Sequence, residues 1–586
     1  MRAGIAVAAL SLILAATAAA APAPPFSRSG GYITDGDGRV FISHGVNMVY
    51  KVAPYEPSAA GFGEDDAAFL QREGFNSVRL GVIYKAVEPQ PGVYDDAYLD
   101  KIAQTAALLE KHEIAPLVDF HQDMYNEKFQ GEGWPDWAVF DDGALNQPQA
   151  GFPNNYLTNP ALNRAFDNFW ANTHGPGDVG IGDRFAQAWK HVGERFAAEH
   201  GILGYDLLNE PWPGTGWQQC ANTSGCPEFD RGRFTDFYKR TLIALRQADS
   251  RHLAFYEPAV TWNFGGGTNL PKFDDAKVAM SWHVYCVSPT TGPSSNACAQ
   301  SELLPFQNAQ KRTESMTDPT LVTEFGATDD LADIRRIAEY SDQFKVGWQY
   351  WHYCGCKDPT TQGPGETQAI VKDPAKPPEG DNLKSEKLAV LVRPYPQLVA
   401  GTPVSWKFDA DKKVFNLEYS TGRAGGGTFA GHPMTEVFVP KRQFPKGYNV
   451  RVQGAGVASD AGAQVLELQA CPGAKSVKLE VAAGGRNVVD CAAGSVAGLK
   501  INTPQLKLSV QPKHVHRGRT TTFTFRVRSG RFAVRGARVR FAGHNLRTDS
   551  AGQVRIRLRL RRVGARRAVT WKRTYRRGNA QVRVVR

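Results

Sequence analysis

Hydrophobic and polar positions between Phe41 and Trp351 follow two alternating patterns. Short apolar runs of strand length recur eight times, and between them lie longer segments in which apolar residues return every three or four positions. The strand predictions are Phe41–Val49, Ser77–Tyr84, Ala115–Asp123, Tyr205–Glu210, Leu253–Pro258, Val278–Tyr285, Leu321–Phe325 and Val346–Trp351. The helix predictions are Asp65–Glu73, Leu99–His112, Arg184–Glu199, Arg233–Asp249 and Ile334–Phe344. This alternation predicts the α/β class, as a (β/α)8 TIM barrel that we assign to residues 27–380.

The pattern changes after the barrel. Residues 358–381 are rich in proline and glycine, and short apolar runs with the spacing of a β-sandwich follow across residues 383–497. Between residues 505 and 586, arginine alternates with apolar residues, as in Gln553–Leu560. This alternation predicts strands with an arginine-rich solvent face, and therefore a small basic Ig-like β module at the end of the chain.

The first 21 residues have the layout of a secretory signal peptide. Arg2 precedes an apolar run from Ile5 to Ala16, and small residues follow up to Ala21. The apolar run is too short to span a membrane as a helix. We therefore exclude residues 1–21 from the fold and expect a secreted, extracellular protein.

The cysteine content of an exported chain points to disulfide bonds rather than to metal ligation. Short separations predict the pairs Cys220–Cys226 and Cys471–Cys491, the second of them in the β-sandwich. The segment Cys354–Cys356 has no second cysteine pair at zinc-finger spacing, so we predict no metal site. The sequence leaves four cysteines without an assigned partner: Cys286, Cys298, Cys354 and Cys356.

The net charge of +11 is distributed unevenly. Residues 505–586 hold 24 Lys and Arg against one acid, Asp549, so the module carries +23 and the rest of the chain about −12. Attraction to anionic membrane lipids or to cell-wall polymers is one interpretation of the basic module, and a merely solubilising face is the other. The export signal argues against a nucleic-acid partner.

Two of the predicted strands, the fourth and the seventh, end in a glutamate. Glu210 closes the run that begins at Tyr205, and Glu324 lies near the end of the run that begins at Leu321. The carboxyl ends of all strands of a TIM barrel share one face, which carries the active site. A single strand-ending glutamate is more often structural. Two on this face match the proton donor and the nucleophile that retaining glycoside hydrolysis requires.

Most of the other predicted strands also end in polar or aromatic side chains. A purely structural account would need these residues to gather at one end of nearly every strand by chance, so we favour a catalytic site. The residues concerned are Asn47, Lys51, Arg79, His121, Asp123, His283, Tyr285, Trp348 and Trp351.

The motifs at these strand ends resemble the clan-A glycoside hydrolases of family 5. Within that family, His44–Lys51 and Asp119–Asp123 resemble the endoglycoceramidases, which cut the bond between an oligosaccharide and ceramide. The resemblance covers roughly residues 31–491. Its motifs are Asn209-Glu210-Pro211, His283-Val284-Tyr285, Thr323-Glu324-Phe325-Gly326 and the tryptophan-rich end of strand eight.

The resemblance implies a retaining double displacement without a metal or an organic cofactor. Glu210 is expected to be the acid/base, with its pKa raised by the nearby ionised Glu324. Glu324 is expected to be the nucleophile, oriented and kept ionised by Tyr285 and Arg79. Asn209 is expected to bind the sugar 2-hydroxyl, a contact that strengthens in the transition state.

The same resemblance implies further substrate-binding residues. Trp351 is expected to form a stacking platform beneath the sugar, and Trp348 is the alternative because the end of strand eight is uncertain by a residue. A solvated Lys51 and a packed His121 are the structural alternatives. The polar residues assigned to the substrate are Lys51, His121, Asp123 and His283.

Tryptophans are frequent in the connections after strands three and four. Trp134 and Trp137 follow strand three, and Trp212 and Trp217 follow strand four. Apolar loops at a barrel mouth predict a groove for a lipid, and the alternative is that these loops pack on one another.

We therefore predict a monomeric, endoglycosylceramidase-like hydrolase whose substrate is a glycosphingolipid or another glycoside. Another family-5 β-glycosidase, a β-1,4-glucanase and a catalytically silent glycan-binding barrel are the alternatives. The intact Asn209, Glu210 and Glu324 argue against a silent barrel, because a binding protein has no evident need for both acids.

Overall fold

The computed structural model describes residues 22–199, 201–286, 296–361, 365–429, 431, 433–489, 505–529, 532–534, 536–549, 551–572 and 577–586. The predicted signal peptide, residues 1–21, lies outside these ranges, as does Cys491. No helix within the described ranges combines the length and the apolar character needed to cross a lipid bilayer.

Eight parallel strands form a closed barrel in which the last strand pairs with the first. The predicted TIM barrel is confirmed, and every strand overlaps its prediction. Strand four is shorter than predicted, so that Glu210 lies four residues beyond its last residue, Asp206. The barrel strands, one to eight, are His44–Met48, Ser77–Ile83, Ala115–His121, Gly204–Asp206, Leu253–Tyr256, Val278–Val284, Thr320–Phe325 and Gly347–Tyr350.

The barrel strands are buried over nearly their whole length. One face of each strand fills the barrel interior and the other packs against the surrounding helices, which is why these strands appear in the sequence as continuous apolar runs. The α-helices of this part of the chain are Glu64–Glu73, Tyr84–Val87, Asp96–Lys111, Asn154–Thr158, Pro160–Trp170, Ile181–Phe196, Trp217–Cys220, Pro227–Phe229, Thr235–Ala248, Asn296–Met316, Leu331–Phe344 and Ser385–Leu391.

Two sheets follow the barrel in the region predicted as a β-sandwich. The larger sheet is antiparallel, and the smaller one is antiparallel except for one parallel pair of strands at its edge. Three short N-terminal strands complete the larger sheet, because Val40–Phe41 pairs with Tyr395–Val399. In order across the sheet, the larger one contains Ser27–Ser29, Tyr32–Thr34, Val40–Phe41, Tyr395–Val399, Thr435–Phe438, Val465–Ala470 and Ala455–Val457. The smaller one contains Thr402–Asp409, Val414–Ser420, Ser476–Ala482, Asn449–Gln453 and Val488–Val489.

The sandwich and the barrel share buried polar contacts and one continuous hydrophobic core. Asp342 on a barrel helix accepts hydrogen bonds from Arg393 Nη2 at 2.5 Å and from Trp406 Nε1 at 2.6 Å. At the start of barrel strand one, the ring of His44 stacks on Tyr395 with centroids 3.6 Å apart. The barrel and the sandwich therefore form one compact unit.

The basic module forms a second compact unit with its own core. Its side chains alternate between buried apolar and exposed polar positions, as the sequence predicted. Phe523, Phe525 and Phe541 pack together at the centre of the module. Its strands are Leu506–Gln511, His514–His516, Thr520–Ser529, Phe532–Ala533, Arg538–Phe541, His544–Arg547, Gln553–Arg559, Gly564–Trp571 and Gly578–Val585.

Three disulfide bonds lie within the described residues. Cys220–Cys226 is the predicted pair, and the structure assigns two more, Cys286–Cys298 and Cys354–Cys356. Cys471 is also disulfide-bonded, but its predicted partner is outside the described residues.

Candidate active site

Glu210, beyond the end of strand four, and Glu324, the second-last residue of strand seven, face each other at the carboxyl-end face of the barrel. A carboxylate oxygen of each and a ring nitrogen of His283 all lie within 4.8 Å of one another. Glu210 has a φ of 45°, a left-handed conformation that costs a non-glycine residue about 1 to 3 kcal/mol and is found most often at functional sites. Gln122 Nε2 holds this turn by donating to the carbonyl oxygens of Asn209 at 2.9 Å and Glu210 at 3.1 Å.

Glu324 is held by the two groups that the sequence analysis assigned to it. Arg79 Nη1 donates to Oε1 at 2.6 Å, and the Tyr285 hydroxyl donates to Oε2 at 2.9 Å. Burial raises the pKa of Glu324 above its usual value, and the neighbouring His283 and Arg79 lower that pKa. The hydrogen bonds from Arg79 and Tyr285 both stabilise the ionised form of Glu324.

Glu210 has a different environment. Oε1 accepts hydrogen bonds from Asn263 Nδ2 at 2.7 Å and His283 Nδ1 at 2.9 Å. Burial, and then the negative charge of Asp123, raise the pKa of Glu210 to about 8. The expected direction of the shift is therefore present, but its main causes are burial and Asp123 rather than the expected Glu324. The two glutamates thus differ in their surroundings, because Glu324 is bound by the Arg79 cation and Glu210 lies near the Asp123 anion.

Arg79 connects these two residues to the barrel interior, where it is fully buried. Its Nε donates to Asp206 at 2.8 Å, and its Nη2 donates to Asp119 and to Asn209 Oδ1, both at 2.9 Å. Together with Glu324, these partners join one guanidinium to strands three, four and seven. Asn209 is held further by its Nδ2, which donates to the Gln122 carbonyl at 2.9 Å.

A second polar group lies beyond strands one and three. Lys51 Nζ donates to Asp123 Oδ2 at 2.6 Å and to Thr360 Oγ1 at 2.8 Å, and it lies 4.5 Å from the centroid of the Trp351 ring. His121 stacks on the same tryptophan with centroids 5.2 Å apart. Lys51, His121 and Asp123, which the sequence assigned to the sugar, therefore meet around Trp351.

The structure decides between the two tryptophans of strand eight. Trp348 is fully buried and stacks on His44, at the amino-terminal end of the barrel. Trp351 lies past the carboxyl end of its strand, and its Nε1 donates to Gln368 Oε1 at 3.1 Å. Of the two, only Trp351 lies in the candidate site.

At Trp134 the structure favours the second alternative, loops that pack on one another, over a groove for a lipid. Trp134 is 1% exposed and stacks on Tyr125 with centroids 4.2 Å apart, in a cluster with Phe166, Phe169 and Phe185. The aromatic loop after strand three thus packs on itself and on the neighbouring helices, because each large ring gains more free energy from burial than from a place at the mouth.

Three site residues were missed in the sequence. Asn263 lies in the 3-10 turn Val260–Phe264, which no motif marks. Glu132 is buried near Lys51, and no hydrogen-bond partner of its carboxylate lies within the described residues. Glu257 follows strand five directly and is 1% exposed. Like Glu210, it ends an apolar run and is followed by proline, so the sequence pattern could have identified it as a site residue.

Several acidic groups of the site are paired with protein cations, among them Asp123 with Lys51 and Glu324 with Arg79. His121, Asp123 and Glu132 bring potential metal-ligand atoms within 4.8 Å of one another, but Asp123 is already paired with Lys51. The sulfurs of Cys354 and Cys356 are joined in a disulfide, which removes the thiolates that a zinc ion would need. We infer no metal centre from these groups.

Comparison with known proteins agrees with this geometry. Residues 41–357 match the profile described as cellulase, glycosyl hydrolase family 5, and residues 393–481 match the glycoside hydrolase family 5 C-terminal domain. The chain therefore belongs to glycoside hydrolase family 5 and is a glycoside hydrolase, as predicted.

Similar proteins include several endoglycoceramidases. Endoglycoceramidase I of Rhodococcus hoagii is 35% identical over 464 residues, which are 77% of this chain and 87% of that protein. The endoglycoceramidase of Hydra vulgaris is 30% identical over 458 residues, 72% of this chain and 81% of that protein. The predicted resemblance to endoglycoceramidases is confirmed.

Solved structures point the same way. Endo-glycoceramidase II from Rhodococcus sp. superimposes with a TM-score of 0.63 at 27% identity, covering 78% of this chain and all of that one, in its form as a lactosyl-enzyme intermediate. Its complex with ganglioside GM3 superimposes with a TM-score of 0.61 at 26% identity, covering 78% of this chain and 99% of that one.

Proposed function

We propose that this protein is a retaining endoglycoceramidase, which cleaves the β-glycosidic bond between the oligosaccharide and the ceramide of a glycosphingolipid. The observation that carries the proposal is the contrast between two facing glutamates. Glu324 is bound by Arg79 and Tyr285, and Glu210 has a pKa raised to about 8 by burial and by Asp123. Similarity to endoglycoceramidases supports the substrate class.

In the first step, the Glu324 carboxylate attacks the anomeric carbon while Glu210 gives its proton to the glycosidic oxygen. The bond from the anomeric carbon to that oxygen breaks, ceramide leaves as an alcohol, and the oligosaccharide becomes an ester of Glu324. The positive charge of Arg79 keeps Glu324 in its reactive, ionised form, because the guanidinium is 2.6 Å from its Oε1.

In the second step, the Glu210 carboxylate takes a proton from water, and the resulting oxygen attacks the anomeric carbon. The ester bond breaks, the oligosaccharide leaves and Glu324 is free again. Retaining enzymes place their two carboxyl groups about 5 to 5.5 Å apart, whereas inverting enzymes need about 6.5 to 9.5 Å. Oxygens of Glu210 and Glu324 within 4.8 Å of each other support the retaining arrangement.

The sugar site in this proposal is the group around Trp351. Aromatic faces stack against the apolar face of a pyranose ring, and the charged Lys51 and Asp123 offer hydrogen bonds to its hydroxyls. His121 contributes Nε2, a buried atom without a partner among the described residues. In this proposal Asn209 binds the 2-hydroxyl, with its amide oriented by Arg79 and Gln122.

In this proposal the aglycone leaves on the side of the acid, and the turn that supplies Asn263 continues into exposed apolar residues, Phe264 and, near Gly265, Leu304. Asn263, which contacts Glu210, is followed by Phe264, which is 47% exposed. Leu304 is 38% exposed and lies close to the backbone of Gly265, the residue after Phe264: a Cβ added at Gly265 would be 2.8 Å from Leu304 Cδ1. Exposed apolar surface on and beside this turn suits the hydrocarbon of a ceramide and replaces the groove predicted at Trp134.

We propose in addition that the basic module binds anionic membrane surfaces. The outer face of one of its sheets carries six exposed cations and no acid, because the register places the charged positions of three strands on the same side. Each exposed cation near an anionic bilayer contributes about 1 kcal/mol before screening. The six residues are Lys507, Arg526, Arg528, Arg555, Arg557 and Arg559.

Export through the signal peptide stays a prediction. The three disulfide bonds support it, because disulfides persist in oxidising, extracellular surroundings.

The substrate is tested by incubating the protein with gangliosides, lactosylceramide and soluble β-glucans, with Glu324→Gln as the inactive control. We expect release of the intact oligosaccharide together with ceramide. Release of single glucose units only, or cleavage of glucan alone, assigns the chain to another family-5 specificity. Binding of glycans without any cleavage would indicate a silent barrel.

A further inference from the structure

Glu257 lies behind the catalytic pair and has no part in the mechanism so far. It follows strand five, is 1% exposed and has no hydrogen-bond partner among the described residues at either carboxylate oxygen. Nε2 of His283 is 3.6 Å from Oε2 of Glu257, and Arg79 Nη2 is 4.0 Å from the same oxygen. The Nε2 of His283 is also buried without a partner. Two unsatisfied buried groups therefore face each other.

We propose that Glu257 is a neutral carboxylic acid that fixes His283 in its Nδ1–H tautomer and thereby keeps the acidic proton of Glu210 on Oε2. The inference rests on the proposed function and adds a positioning residue to it. A carboxyl O–H of Glu257 donates to Nε2 of His283 after a small shortening of their separation. The single proton of the neutral imidazole is then on Nδ1.

The electrostatic surroundings favour the neutral form of Glu257. A buried carboxylate without donors is strongly unfavourable, whereas a carboxylic acid needs only one acceptor here. Burial, and then the charge of Asp206, raise the pKa of Glu257 well above its usual range, and burial lowers the pKa of His283 to about 4, so the imidazole is neutral too. The charged or titratable groups that act on Glu257 are Asp206, Arg79, Glu210, Glu324 and His283, and the hydroxyl of Tyr238 bonds its backbone.

The tautomer decides where Glu210 carries its proton. Oε1 of Glu210 accepts from Asn263 Nδ2 and lies 2.9 Å from His283 Nδ1. When Nδ1 carries hydrogen, Oε1 accepts two N–H groups and the proton of Glu210 is left on Oε2, free for the leaving oxygen. The opposite tautomer would require Oε1 to donate to Nδ1, which withdraws the proton from the reaction.

The same tautomer serves both steps of the double displacement. Nδ1 is also 3.4 Å from Oε2 of Glu324, so its hydrogen lies near the ionised nucleophile in the resting enzyme. Once Glu324 is esterified and Glu210 has lost its proton, the hydrogen bond to Oε1 stabilises the new carboxylate. The protons of Glu257 and His283 stay in place throughout, so Glu257 acts as a positioning residue.

Two variants at one position test the proposal in the full-length protein. Glu257→Gln keeps an N–H donor for Nε2, and Glu257→Leu removes it at similar volume. We expect Glu257→Gln to retain kcat within about threefold. A positioned general acid accelerates a reaction by about 10²- to 10⁴-fold. We therefore expect Glu257→Leu to lose at least about tenfold in kcat on an aryl lactoside with a poor leaving group. KM should not change. A dinitrophenyl lactoside, whose departure needs no proton, should be cleaved by Glu257→Leu almost normally in the first step.

A structural role would not produce this dependence on the leaving group. Equal losses for Glu257→Gln and Glu257→Leu, or equal losses on both lactosides, overturn the proposal. Neutron diffraction from the parent protein provides an independent test, with hydrogen expected on His283 Nδ1 and on the Glu257 carboxyl. Hydrogen on Nε2 overturns the proposal even if both variants fail to fold. A protein that cleaves neither lactosides nor glycolipids would refute the proposed function, while the neutron map would still decide the tautomer.

Discussion

Arg79 donates a hydrogen bond of 2.6 Å to Glu324 in the centre of the barrel. The same guanidinium binds Asp119, Asp206 and Asn209, so one side chain compensates three carboxylates and orients the residue before the acid. The charge of the nucleophile and the arrangement of the strand ends therefore depend on a single residue.

Replacing Arg79 by lysine should lower both stability and activity. An ammonium group lacks the planar fork that bonds these partners together, and an uncompensated buried carboxylate costs about 3 to 5 kcal/mol. We expect the free energy of unfolding, measured with denaturant, to fall by about that amount. The acidic limb of the pH profile should move to higher pH, because Arg79 lowers the pKa of Glu324.

Tyr285→Phe is the matched control, because it removes one hydrogen bond to Glu324 and leaves the charge of Arg79 in place. Its cost in stability should stay near the ~1 kcal/mol of one hydrogen bond. Parent-like stability of Arg79→Lys would show that the guanidinium does not compensate these acids.

The pH dependence of kcat/KM should be bell-shaped, with the basic limb near pH 8. Glu210 must be protonated to act as the acid, and its pKa is raised to about 8, mainly by burial and then by Asp123. The acidic limb reports Glu324, which loses its nucleophilic carboxylate as pH falls. Asn263→Ala should move the basic limb to higher pH, because the Asn263 hydrogen bond lowers the pKa of Glu210. If the basic limb does not move in this variant, Asn263 does not affect the pKa of Glu210.

The sequence predicted the barrel and most of the site because both follow from strand ends. Parallel strands in a barrel place their last residues on one face, so counting along the chain was enough to bring Glu210 and Glu324 together. Asn263 could not be predicted in this way, since it reaches Glu210 from a turn whose path depends on tertiary packing. Glu257 shares the strand-end pattern of Glu210. Its closeness to His283, which the sequence does not show, is what indicates a role in the site rather than a purely structural one.

The sequence could not decide between a lipid groove and self-packing loops at Trp134, for a physical reason. An aromatic residue in a long loop looks the same in the sequence whether it lines a groove or fills a core. The neighbouring helix Pro160–Trp170 supplies Phe166 and Phe169, which enclose Trp134. Exposure, which only the structure provides, moves the candidate lipid contact to Phe264.

Trp134 and Phe264 should therefore respond differently to substitution. Trp134→Ala should destabilise the protein by about 3 to 5 kcal/mol, because it empties a packed aromatic site. The remaining folded protein should lose no preference for ceramide-linked over soluble aryl substrates.

Phe264→Ser should leave thermal stability almost unchanged and reduce cleavage of ceramide-linked substrates alone. Ile243→Ser is the control, since Ile243 is 65% exposed on the helix Thr235–Ala248, away from the strand ends. If Phe264→Ser loses activity equally on ceramide-linked and on soluble aryl substrates, Phe264 does not contact the ceramide.

Removal of the basic module should affect encounter with a membrane and not the chemistry. A chain ending before residue 505 should hydrolyse detergent-dispersed glycolipid normally and cleave less of it in anionic vesicles. The difference should shrink as added salt shortens the Debye length to about 3 Å near 1 M. Replacing Arg555, Arg557 and Arg559 by glutamine should reproduce part of this loss, since these exposed side chains lie on one sheet face. If the truncated and the intact protein cleave glycolipid in anionic vesicles equally well at low salt, the module does not bind the membrane and its arginines are only a solvated face.

In the proposed mechanism a whole oligosaccharide is transferred to Glu324 while Glu210 supplies the proton. Glu210→Ala, given lactosyl fluoride, should form the glycosyl-enzyme without a proton donor and hydrolyse it slowly. The decisive measurement is the intact mass of this variant, followed by peptide mapping. We predict a mass increase of one lactosyl group, located on Glu324 and absent from the Glu210→Ala, Glu324→Gln double variant. A single hexose, a label on another residue, or no covalent adduct would contradict it.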